Sequence, residues 1–359
     1  MTENNNTDTN EDDFSQNNKK TSELEDIPLK SDEVPENTDG RGFMSAFMPV
    51  YQVNLSHFRF PIYISLLFSG ILALLISNVG LQGLIPEENA ASGLGQGLLL
   101  TASAVVSSIV IVFVVKKKGE NALKYIMSFA FLLLTFMLLY FFGMFFVDFI
   151  VLGDSMLFQV VFNIYTVFSG VITVYFVFMF FSGRMGPKLK NFYVIMVGIL
   201  IGAFMGVIMP PWTTITMLIG ISLWDIFSVR SSKGPIRKIL ELTGGLEQSE
   251  IEIDEETFRS TQVEIGIGDL AFYSQLTSAA LVFMVDFMFG ETGNVITSVI
   301  FGLIVALTAA IGILIGSTIT INSLRKNKIL PGLPLSIFIG MGFAFLSGLY
   351  VFLNFLFFQ

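Results

Sequence analysis

Nine apolar stretches dominate this sequence, over residues 61–85, 94–115, 125–147, 155–182, 191–209, 212–229, 265–288, 295–321 and 331–358. Each is long enough, or nearly so, to cross roughly 30 Å of hydrocarbon as a helix. Lipid offers the backbone no partners, and a helix satisfies its own groups. The expected fold class is therefore an all-α polytopic membrane protein with nine transmembrane helices, multi-pass in the cell membrane. Composition agrees: 53% of the 359 residues are hydrophobic and 14% charged, against about a quarter charged in soluble domains.

Charge sorts the connections. Lys116, Lys117, Lys118 and Lys124 fall in the second; Arg184, Lys188 and Lys190 in the fourth; Arg230, Lys233, Arg237, Lys238 and Arg259 in the sixth; Arg325, Lys326 and Lys328 in the eighth. The odd-numbered connections, such as 86–92 and 290–294, carry no Lys or Arg. The positive-inside rule then predicts a cytoplasmic N-terminus and an external C-terminus. Four regions follow: 1–60, an acidic tail and interfacial segment; 61–230, helices one to six; 231–264, a cytoplasmic connection with a short amphipathic segment and a candidate edge strand; 265–359, helices seven to nine. Residues 1–42 hold twelve Asp/Glu against four Lys/Arg, lack apolar residues to offset chain entropy, and are expected to be disordered.

Some chemistries are excluded or disfavoured. Zero cysteines rule out disulfides, thiolate metal sites and Cys nucleophiles. His57 is the single histidine, read as a headgroup-level residue, so no metal site and no cofactor is expected. Nucleic acid is not an expected partner. Small residues four apart, Gly198, Gly202 and Gly206 in the fifth helix and Gly340, Ala344 and Gly348 in the ninth, are read as close-packing rows.

A carboxylate inside the hydrocarbon region costs several kcal/mol unless paired or hydrated. Asp148 and Asp286 lie at the outer ends of the third and seventh helices and read as interfacial. Asp225 and Asp269 do not. Asp225 stands five residues before Arg230, Asp269 five after Glu264, so both lie about 7 to 8 Å inside the same boundary on consecutive helices. Two carboxyl groups sharing a poorly solvated site cannot both ionise cheaply and hold one proton between them near neutral pH. Such a pair suits amide hydrolysis, one member taking a proton from water while the other polarises the carbonyl. It equally suits a cation- or proton-coupled transporter. Depth alone does not separate the two.

The neighbours do. In Gly266-Ile267-Gly268-Asp269 two glycines clear side-chain bulk from beside the acid and permit non-helical backbone. Pro331-Gly332-Leu333-Pro334 opens the ninth helix at the same depth, its prolines stiffening what reads as a cleft wall. Trp224-Asp225, Gly266-Ile267-Gly268-Asp269 and Pro331-Gly332-Leu333-Pro334 together resemble the Tyr-Asp, Gly-x-Gly-Asp and Pro-Ala-Leu signatures of the GxGD intramembrane aspartyl proteases. Residues 233–241, Lys-Gly-Pro-Ile-Arg-Lys-Ile-Leu-Glu, and Phe272-Tyr273-Ser274 are similar to presenilin segments. Signal peptide peptidases share the motifs in inverted topology, and the charge-derived orientation favours presenilin. Trp224 for Tyr and Gly332 for Ala depart from the family pattern and bear on cleavage-site preference.

The resemblance implies an aspartic endopeptidase with Asp225 and Asp269 catalytic, acting on single-pass transmembrane proteins or peptides within membrane lipid. The short sixth connection suggests a compact archaeal relative. Thr261-Gln262-Val263-Glu264-Ile265 alternates apolar and polar residues. An ordinary linker is one reading. The resemblance favours another, in which residues 261–266 form an edge strand and Val263, Glu264 and Ile265 bind substrate.

Overall fold

The computed structural model describes residues 49–54, 57–78, 89–118, 120–151, 155–231, 262–324 and 332–358. Among them are nine long helices: α1 (Arg59–Asn78), α2 (Ala90–Lys118), α3 (Glu120–Val151), α4 (Ser155–Phe181), α5 (Pro187–Ile208), α6 (Pro211–Arg230), α7 (Ile267–Thr292), α8 (Val295–Leu324) and α9 (Gly332–Phe358). Eight are long and apolar enough to cross a membrane, which makes this a multi-pass membrane protein. The ninth, α6, has Val229 and Arg230 outside the residues whose side chains are described, and its remaining stretch includes Thr213, Thr214, Thr216, Ser222, Asp225 and Ser228.

Helix α7 is the hub. It is 67% buried over its span, whereas α2 is 6% buried, and it packs against α1, α5, α8 and α9 and meets α6. Small residues make these approaches close. A methyl added at Gly198 would stand 3.2 Å from Leu270 Cβ; one at Gly206, 2.5 Å from Ser278 Cβ; and one at Gly202 would collide with Ser274 Cβ. The fifth-helix row is thus the seat of α7. In the ninth helix the pattern is only partly used. A methyl on Gly312 of α8 would lie 2.8 Å from Gly340 Cα, but Gly348 faces open space. Spacing identifies small residues without telling which of them meets a neighbour.

Helix α6 rests mainly on α2. A methyl at Gly97 would lie 2.6 Å from Thr216 Cβ, and one at Gly220 2.5 Å from Thr101 Oγ1. Polar links between helices are sparse. Thr135 and Tyr193 hydroxyls share a 2.8 Å bond between α3 and α5, and Thr308 and Ser347 share one of 2.7 Å between α8 and α9.

Two strands complete the fold, β1 (Val50–Asn54) and β2 (Gln262–Gly266). They pair antiparallel with Val50 opposite Gly266, Gln52 opposite Glu264 and Asn54 opposite Gln262. The strand expected at 261–266 is present from Gln262, residue 261 lying outside the described residues. The seventh helix consequently begins at Ile267, not at 265. β1 is the departure from expectation, since residues 50–54 fall within the segment read as tail and interface. Five residues of Val-Tyr-Gln-Val-Asn have strand propensity, but beside an acidic tail they are too few to impose a period.

Candidate functional site

The site lies where α6 ends and α7 and α9 begin. Asp225 sits in the penultimate turn of α6, on the face shared by Leu218, Ile221 and Ser222 at helical spacing; Leu218 and Ser222 are buried and Asp225 is half-buried. Trp224 turns its ring onto Phe227, centroids 5.4 Å apart. Asp269 occupies the first turn of α7, half-buried, where unpaired amides and the helix dipole face it. The two carboxyl groups interact electrostatically.

The glycines beside Asp269 are explained by the space they leave. Gly266 ends β2 in extended backbone, φ −65° and ψ 143°, and caps α7. A methyl there would touch Asp269 Oδ2 at 3.8 Å, and at Gly268 the nearest atom would be Phe272 Cε2 at 4.0 Å. Packing within the described chain therefore tolerates alanine at both positions.

Helix α9 closes another side. Pro331 lies outside the described residues. Gly332 is half-buried, and Leu333 and Pro334 are buried; Leu333 shares one core cluster with Leu270, Tyr273, Leu276 and Ile337. One turn beyond Asp269, buried Tyr273 lies in the field of both aspartates and near Ser336 of α9, whose hydroxyl donates to the Gly332 carbonyl at 3.2 Å. Ser336 carries no sequence signal of its own. It is one buried serine among many until the helices are assembled.

Strand β2 leads directly into the site. Ile267 N–H donates to Pro49 carbonyl at 3.1 Å, which makes 49/267, 51/265 and 53/263 the hydrogen-bonded pairs and 50/266, 52/264 and 54/262 the others. Val263 and Ile265 thus turn their backbone groups toward β1, while Gln262, Glu264 and Gly266 turn theirs the opposite way. Ile265 faces the core, 8% exposed. Glu264 is exposed and accepts a bond from Gln52 Nε2 at 3.1 Å. Asp148 and Asp286, read as interfacial, are both exposed.

Comparison with known proteins adds an independent line. Residues 85–251 match the family described as Presenilin, a span that contains Asp225 and stops before Asp269. Presenilin-B of Dictyostelium discoideum is 33% identical over 143 residues, 39% of this chain and 26% of that protein. The chain spans about a quarter of the length of that curated relative. The chain is thus similar over part of its length to presenilins, and its eight apolar helices make it a multi-pass membrane protein.

Proposed function

We propose that this protein is an intramembrane aspartyl endopeptidase that hydrolyses peptide bonds of transmembrane-helix substrates with Asp225 and Asp269 as its dyad. The reading is supported by two carboxyl groups on neighbouring helices, α6 and α7, near enough for their charges to interact, beside glycines whose space the described chain does not fill. One aspartate, ionised, takes a proton from water as the water oxygen attacks the scissile carbonyl carbon. The other, protonated, gives its proton to the carbonyl oxygen. The tetrahedral diol then collapses as a proton passes to the amide nitrogen, the C–N bond breaks, and an amine and a carboxylic acid leave. No metal or cofactor is needed for this balance.

In this reading all nine helices span, α6 included, and the N-terminus is cytoplasmic. Substrates are single-pass membrane proteins or their leftover stubs. A helical substrate hides its amides in intrahelical bonds, so the scissile segment must be drawn out and given new partners. The outward groups of Gln262, Glu264 and Gly266 supply them, with Val263 and Ile265 fixing the strand beneath. Pro331-Gly332-Leu333-Pro334 forms the opposite wall, and Trp224 borders Asp225.

The test is incubation of purified protein in bicelles with a model single-pass substrate. Wild type should release two fragments cut within the apolar span, and Asp269→Ala none. Equal cleavage by Asp269→Ala rejects the dyad. Cation transport without cleavage by wild type would point to a transporter instead.

A further inference from the structure

Every strand in a two-stranded ribbon has one paired edge and one bare one, and such a ribbon is only marginally stable by itself. Here the bare edge of β1 is not bare. Gln52 N–H donates to Asn191 Oδ1 at 3.0 Å, and Asn191 Nδ2 donates to Gln52 carbonyl at 2.8 Å. One side-chain amide thus satisfies both outward groups of one peptide residue, the contact a third strand would make. Asn191 stands in the second turn of α5. That helix carries the Gly198, Gly202 and Gly206 row that seats α7, and β1 packs against it. The clasp spans 139 residues of sequence.

The chain of contacts runs α5, Asn191, β1, β2, Asp269. Each link constrains the next: Asn191 pins Gln52, the 49/267, 51/265 and 53/263 pairs pin β2, and β2 runs without interruption into the turn bearing Asp269. Blocking the outer edge of β1 also decides where another strand can add. Among the described residues nothing takes the outward groups of Glu264 on β2, and Glu264 is exposed.

From this we infer that Asn191 is a positioning residue and β1 a resident partner strand. Together they hold β2 extended so that a substrate segment adds to its opposite edge. The inference rests on the strand-addition reading above and deepens it: β1 stays in place during turnover and is neither displaced by substrate nor a competitor for its seat. Binding energy from the substrate is then not spent on ordering β2, so the signature of losing the clasp is weaker substrate binding more than slower chemistry.

The chain has no cysteine, which permits a staple. Gln52 and Glu264 face each other as a non-hydrogen-bonded pair, whose Cα atoms lie about 4.5 Å apart in such ladders, inside disulfide range. Four full-length proteins are compared with the same single-pass substrate: wild type, Asn191→Ala, Gln52→Cys/Glu264→Cys, and the triple variant. Cleavage is measured before and after reduction, and amide exchange is followed at Val263, Ile265 and Ile267. Asn191→Ala should speed exchange at these three amides and raise KM roughly tenfold with kcat changed less. Oxidation of the triple variant should recover most of that loss, and reduction should abolish the recovery.

Wild-type kinetics in Asn191→Ala overturn the inference. A loss that the staple does not mend also overturns it, because Asn191 would then act only on the packing of α5. If oxidation of the double variant abolishes cleavage, β1 must leave for substrate to enter, and the inference is wrong in sign. Failure of the underlying reading looks different: wild type would cleave nothing, and with it the positioning role falls, although exchange at the three amides would still respond to Asn191→Ala.

Discussion

Asp225 and Asp269 stand out in the sequence for an energetic reason, since a carboxylate deep in an apolar helix is costly unless paired or hydrated. Asp148 and Asp286 are the internal controls, being acidic and helical but exposed. Asp225→Ala or Asp269→Ala should lower cleavage by at least about a thousandfold while the fold persists. Asp148→Ala and Asp286→Ala should change it less than about twofold. Equal loss in all four means the wrong acids were chosen. Gly266 gives a sharper test. Its φ of −65° suits alanine, and a methyl would meet the Asp269 carboxylate at 3.8 Å and Gly268 N at 4.0 Å. Gly266→Ala should therefore leave thermal stability unchanged or raise it by about 0.4–1 kcal/mol, yet cut cleavage roughly tenfold by filling the space before the acid. Parallel loss of stability and activity would make this glycine a packing residue. Ser336 and Asn191 were not legible at this scale, because each acquires meaning from a partner far away in the chain.

Among elements, the helices are readable from hydropathy, and the strand β2 from five residues of alternation only with the presenilin resemblance beside them; the pairing is not readable. Register is a relation between two segments, and residues 50–54 and 262–266 share no local signal that links them. Register now separates two proline substitutions that sequence alone treats alike. The Val263 N–H belongs to the ladder with β1, whereas the Glu264 N–H faces the opposite edge. A proline is tolerated in a strand where its missing N–H would face outward and is disruptive where it breaks the ladder. Val263→Pro should release β1, seen as fast exchange at Ile265 and Ile267, and lose cleavage with it. Glu264→Pro should keep those two amides protected and still lose cleavage more than about tenfold, having removed a donor that only substrate uses. Val263→Thr, which keeps the backbone, should be mild. Wild-type turnover in Glu264→Pro would remove strand addition and leave the aspartate chemistry standing.

At the scale of the whole molecule, the two aspartates ride on bodies of unequal firmness. Asp269 belongs to α7, the buried hub seated on the glycines of α5, whereas Asp225 belongs to α6, which packs chiefly on the mostly exposed α2. Gly202→Leu should strike the first body. Its side chain would run into Ser274 Cβ and backbone atoms of Ala271 and Gln275, which cannot yield as a flexible side chain can, so the protein should be destabilised by about 1–3 kcal/mol or more. Gly220→Leu should strike the second. It drives α6 off Thr101 of α2, whose side chain already stands 2.5 Å from where a methyl would sit, and nothing in the α5–α7 contact depends on it. The expected result is a dyad pulled out of register on an otherwise stable protein: cleavage reduced roughly a hundredfold, as for an ångström of misplacement at a reacting centre, with unchanged amide exchange along α7. Thr101→Gly should relieve the clash and restore part of the activity, a rescue that simple loss of packing would not allow. If Gly220→Leu instead unfolds the α7 core, or cleaves as well as wild type, then α6 does not place Asp225 through its contact with α2.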